Sequence, residues 1–148
     1  MSGFTNRGKY RLLGVYYRAV TAPTNFYLAL VTSAVAPVAD TNTLSELTQI
    51  ASGTGYTTNG QSVARNATDF EVYTEDDAND RGLIQLKNFT WTASGGNLGA
   101  ARYAVLTDDN ATPASRDILN YWSLGSDRTV SDGQSLTLID CEIQINEA

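Results

Sequence analysis

Phe26-Tyr-Leu-Ala-Leu-Val-Thr32 is an unbroken apolar run, and it constrains the fold more than any other segment of the chain. Ala22-Pro23-Thr24-Asn25 precedes it and Ala36-Pro37 follows closely, so it is too short for a buried helix. A short apolar run between turn signals, rich in β-branched and aromatic residues, reads as a strand with both faces covered. A strand of that kind needs neighbours on each side and packed layers above and below it.

The rest of the chain supplies them. Asp69-Phe-Glu-Val-Tyr73, Gly82 through Trp91, Ala100 through Leu106 and Ile118 through Leu124 read as strands. In the second of these, Leu86 and Phe89 break the strict alternation. Arg128-Thr-Val130 and Ser135 through Ile139 flank Ser131-Asp132-Gly133-Gln134, and Asp-Gly between strand-like runs signals a hairpin. Cys141-Glu-Ile-Gln-Ile145 alternates cleanly and closes the series. Thr43-Leu-Ser-Glu46 has the spacing of a capped helical turn. An extended segment with Leu44 and Leu47 as pegs fits the same residues equally well. The expectation is one mainly β domain over residues 1–148. Roughly seven to nine short antiparallel strands would form a β-sandwich or jelly roll.

One segment departs from this. Leu12, Leu13, Tyr16, Tyr17 and Val20 recur at three- and four-residue spacing, which predicts a short amphipathic helix over residues 9–18, after a flexible arm over 1–8. Val15, Tyr16 and Tyr17 also suit a strand, so that alternative stays open here. Thr21-Ala-Pro23 ends the element.

Composition narrows function. Thr, Ser, Asn and Gly supply 52 of 148 residues, whereas Lys and Glu supply only seven, a vocabulary of strands and turns. There is no histidine, which removes the commonest general base, the histidine-activated nucleophiles and most zinc and iron sites. No catalytic residue, cofactor or metal ligand is expected. The loop around Asp76–Asp80 fails as an EF-hand. Aligning Asp77, Asn79 and Arg81 with ligand positions one, three and five places a cation where an oxygen belongs, and the twelfth position falls on Asn88. Cys141, the one cysteine, alternates with apolar neighbours and reads as an inert small hydrophobe.

The net charge of −6 argues against general nucleic-acid binding, and no apolar run reaches the length of a membrane span. One cysteine allows no internal disulfide, and no secretory leader precedes the first strands, so synthesis in a cytoplasm is expected. Yet Arg7, Lys9, Arg11 and Arg18 crowd the first eighteen residues. With Tyr16 and Tyr17 they form the candidate partner-binding set: the cations to meet an acidic face, the tyrosines to pack at an interface. The competing reading has the two tyrosines covering this chain's own sheet.

The order of segments adds a resemblance. Tyr10-Arg-Leu-Leu-Gly-Val-Tyr-Tyr-Arg18 leads through Thr21-Ala-Pro-Thr-Asn25 into the apolar strand, then to Asp40-Thr-Asn-Thr-Leu-Ser-Glu-Leu47 and Gly53-Thr-Gly-Tyr-Thr57. Phe89-Thr-Trp91, Arg102 through Asp108, Tyr121-Trp122 and Thr129 through Leu138 come last. This arrangement, over about residues 8–145, resembles small virion proteins of tailed bacteriophages, the head decoration or cement proteins. The resemblance implies a β-sandwich that forms homo-oligomers, commonly trimers. It further implies binding to the major capsid protein or another virion protein at the outer capsid, without catalysis. A tail- or fibre-associated structural protein and a host-glycan-binding module are the alternative expectations.

Overall fold

The computed structural model describes residues 2–146. The chain is mainly β with one helix, its sheets are antiparallel, and the arrangement is consistent with a β-sandwich. The described strands are β1 (Gly3–Phe4), β2 (Asn25–Val31), β3 (Gln61–Ala64), β4 (Val72–Asp76), β5 (Arg81–Gln85), β6 (Phe89–Thr92), β7 (Leu98–Thr107), β8 (Ile118–Val130), β9 (Ser135–Leu138) and β10 (Glu142–Asn146). The helix, α1, spans Asn6–Tyr17. The strands form a five-stranded sheet in the order β1-β8-β7-β2-β3, a three-stranded sheet β10-β5-β4 and the ribbon β6-β9.

The apolar run is β2, and it is covered on both faces as its composition demands. Leu28 and Leu30 point into the main core with Leu98, Ala104, Leu106, Phe89, Trp91 and Leu138. Ala29 and Val31 point the other way, into a second core with Leu44, Leu47, Val105, Ile118 and Tyr121. The main core thus lies between the five-stranded sheet and the smaller sheets. Leu44 and Leu47 act as the pegs, while Leu44–Glu46 forms a 3-10 turn in which Glu46 Oε1 accepts from the Thr43 N–H at 2.9 Å. The capped turn forms, in place of an extended segment, and still buries both leucines.

Two strand expectations need correction. The run from Gly82 through Trp91 divides into β5 and β6, which belong to different sheets, and the break falls at Leu86-Lys87-Asn88. There the Lys87 N–H donates to the Asp69 carbonyl at 2.9 Å and the Lys87 ammonium pairs with the Asp69 carboxylate at 2.5 Å. The Asp132-Gly133 turn also forms, with the Gln134 N–H on the Ser131 carbonyl at 2.8 Å, but its flanking strands do not pair with each other. Val130 pairs with Leu98 of β7, and β9 pairs with β6. The end of β6 captures the turn: Ala93 N–H donates to the Gln134 carbonyl at 2.8 Å and Gly133 N–H to the Ala93 carbonyl at 2.9 Å.

The N-terminus differs too. In place of a flexible arm over 1–8, Gly3 and Phe4 pair with Tyr121 and Asn120 of β8, and Thr5 is fully buried. Met1 lies outside the described residues. The helix starts at Asn6, three residues before the expected Lys9, because Thr5 caps it. Its hydroxyl accepts from the Gly8 N–H at 2.9 Å and donates to the Ile118 carbonyl at 2.5 Å.

Candidate partner-binding surface

α1 docks on β8 by the face that the spacing of its apolar residues argues against. Gly8 is its one buried residue, and Arg7, Arg11, Gly14 and Val15 are half-buried around it. The apolar stripe faces outward instead. Tyr10 is 66% exposed, Leu13 55%, Tyr16 78% and Tyr17 72%. Residues 10, 13 and 17 follow the i, i+3, i+7 spacing that puts side chains on one helix face.

The reason lies on the docked side. Close approach of the helix to β8 requires a residue without a side chain, and a Cβ on Gly8 would strike the Leu119 carbonyl oxygen. The arginines on that side find acids beneath them. Arg7 Nε lies 3.1 Å from Asp117 Oδ1, while Arg11 Nε lies 3.6 Å from Asp117 Oδ2 and Arg11 Nη2 3.9 Å from Asp108 Oδ2. Asp117 and Asp108 sit at the start of β8 and the end of β7, so four charges join the helix to the sheet it lies on.

The six expected contact residues therefore divide. Arg7 and Arg11 are engaged within the chain. Lys9 and Arg18 are exposed and outside any ion pair among the described residues. Tyr16 and Tyr17 are exposed and pack edge-to-face, centroids 4.9 Å apart and planes at 70°. They do not cover their own sheet, so that reading is overturned. Tyr10 and Leu13 join them on the outward face. The sequence signal for this orientation was Gly8, whose lack of a side chain marks the docked side.

A groove of about 770 Å³ runs beside the helix, lined among others by Phe4, Leu12, Leu13, Tyr121, Gln144 and Ile145. At the opposite end of the charge pattern is the β4–β5 hairpin. Asp76 accepts from Arg81 Nε at 2.7 Å and from Asn79 Nδ2 at 2.9 Å, and these partners hold its carboxyl below the ordinary carboxylate value, Arg81 contributing most. Tyr73 is 88% exposed on β4, an edge strand whose one neighbour is β5. Among the described residues, no group of three or more acidic or thiol side chains is arranged to hold a metal ion, and no helix is long and apolar enough to cross a membrane.

Comparison with known proteins returns no match. No family model matches the chain, and neither a curated protein nor a solved structure matches it at a significant level.

Proposed function

We propose that this chain is a non-enzymatic structural protein of a bacteriophage particle, a decoration protein that binds the outer capsid and stabilises it. The observation that carries the reading is the outward apolar face of α1 on an otherwise self-sufficient β domain. At the ~150–250 Å² an aromatic side chain can bury, its three tyrosines alone leave roughly 300–550 Å² in water. That matches the largest patch of a typical monomer, before Leu12 and Leu13 are added. A surface rich in tyrosine with a basic rim has the composition of a protein–protein contact. The order of sequence segments points to virion proteins as the setting, where hundreds of copies each make a modest contact and multivalency supplies the stability.

The test is occupancy. Recombinant protein added to capsids that lack it is expected to bind saturably and to raise their resistance to heat. Densitometry of purified particles is expected to show hundreds of copies. Because bound copies can hold one another on the lattice, Tyr16→Ser with Tyr17→Ser is expected to weaken capsid binding by about tenfold or more while circular dichroism stays unchanged. About a dozen copies per particle would place the protein in the tail and refute the decoration reading.

A further inference from the structure

We infer that the outward face of α1 is filled, in the assembled particle, by the β4–β5 hairpin of a second copy of this chain. The inference rests on the assembly reading above and names the partner of that surface. Between Thr5 and Val20 the chain carries four cations and no carboxylate; between Asp69 and Gly82 it carries six carboxylates and one cation. Two of those cations, Arg7 and Arg11, are engaged on the docked side, which leaves Lys9 and Arg18 beside the tyrosines. Two of those carboxylates, Asp69 and Asp76, pair with Lys87 and Arg81, which leaves Glu71, Glu75, Asp77 and Asp80 exposed. Both surfaces are therefore aromatic centres with rims of opposite sign.

Strand geometry completes the hairpin's surface. Alternation places Tyr73 and Glu75 on one side of β4, and Glu71 is exposed just before the strand, so the most exposed aromatic ring of the chain has a carboxylate two residues away on either side. On the helix, Lys9 lies beside Tyr10 and Leu13, and Arg18 follows Tyr17 at the C-cap. Pairing α1 with α1 of another copy would set cations against cations, with no acid on either helix to compensate. Pairing α1 with the hairpin sets Tyr73 among Tyr10, Leu13 and Tyr17, with Glu71 and Glu75 facing Lys9 and Arg18. The contact is heterologous, joining different patches of the two copies.

The experiment uses the full chain and no capsid. Light scattering after size exclusion, from about 1 to 100 μM, is expected to give wild-type masses above 15.9 kDa that rise with concentration. Lys9→Glu with Arg18→Glu is expected to be monomeric, and so is Glu71→Lys with Glu75→Lys. An equal mixture of the two double variants is expected to assemble again, because each variant's altered patch then meets its complement. Circular dichroism of each variant checks that the fold is kept, since all four side chains are exposed. Wild-type protein that stays at monomer mass at every concentration overturns the inference, as does a mixture that stays monomeric. Capsid binding by the same wild-type preparation separates the two readings. A monomer that still saturates capsids sinks only the hairpin contact, whereas an assembling protein that ignores capsids sinks only the decoration role.

Discussion

Gly8 of α1 lies flat against the backbone of Leu119 in β8, and there is no room between them for a side chain. A Cβ at position 8 would run into the Leu119 carbonyl oxygen and come within 2.5 Å of the Phe4 ring. This contact decides which side of the helix is turned to solvent, and so which residues are offered to a partner. Gly8→Ala is expected to destabilise the protein by about 1–3 kcal/mol through overpacking, although alanine is the better helix former. Denaturant unfolding would measure the loss, and amide exchange across residues 6–17 should accelerate. Unchanged exchange there would show that the helix does not rest on this contact.

Two adjacent acids at the end of β7 are expected to behave oppositely. Burial raises Asp109, but its Oδ2 accepts from Thr24 Oγ1 at 2.8 Å, Thr24 N–H at 2.9 Å and Asn25 N–H at 3.2 Å, and the net result lies below the ordinary value of 3.8. Burial likewise raises Asp108, the nearby Asp117 charge adds to it, and there the net result lies above 3.8. A lowered carboxyl contributes stability that is present above its unfolded value and lost as pH falls through its folded value. A raised one carries a penalty at neutral pH that is relieved as pH falls through its folded value. Asp109→Asn should therefore cost about 1–2 kcal/mol at pH 7, less in acid. Asp108→Asn should cost nothing at pH 7 or stabilise, and the difference from wild type should close on acidification. Thermal melts of both variants from neutral to acid pH would check this; equal losses at pH 7 would contradict it.

Tyr56 ties two loops to β2 by its hydroxyl, which donates to Gln49 Oε1 at 2.7 Å and accepts from the Leu30 N–H at 3.3 Å. Burial pushes its pKa up to about 12, against a lowering by the Leu30 hydrogen bond. Tyr56→Phe keeps the ring in the core but leaves the Leu30 N–H without this acceptor and Gln49 Oε1 with the Asn59 N–H alone, and is expected to cost about 1–3 kcal/mol. The phenol itself should ionise in the alkaline range only as the fold opens. An ultraviolet titration would show this as a late, cooperative step.

Cys141 is buried, and burial, with a further push from the Asp140 charge, raises its thiol from 9.0 to about 11. That leaves about 100-fold less thiolate than an ordinary cysteine, before access is considered. A disulfide reagent at neutral pH is therefore expected to react at least about 100-fold more slowly with native protein than with protein in denaturant. Rapid native labelling would contradict the burial.

The β nature of the chain was legible because β2 is apolar at every position and the strand-like runs recur between turn residues. Pairing was less legible. The Asp132-Gly133 turn is a local feature, held by one hydrogen bond, and it reads correctly. Which strands it joins depends on β6, some forty residues earlier, since Ala93, the residue after it, takes both of the turn's free backbone groups. Likewise the break at Lys87 is set by Asp69, and nothing in the run from Gly82 to Trp91 announces it apart from the broken alternation at Leu86 and Phe89.

By itself the sequence determined that this chain is mainly β, that Phe26–Thr32 is central, and that Arg7 through Arg18 form a basic segment without carboxylates, and it favoured a short helix there without excluding a strand. Each of these depends on neighbouring residues, whose propensities and periodicities act over a few positions. Only the tertiary structure decided which way the helix faces. Periodicity identifies an apolar stripe but not what covers it. Here Gly8 fits against Leu119, and Arg7 and Arg11 find Asp117 and Asp108 about a hundred residues away, so the polar side docks and the tyrosines are left to water.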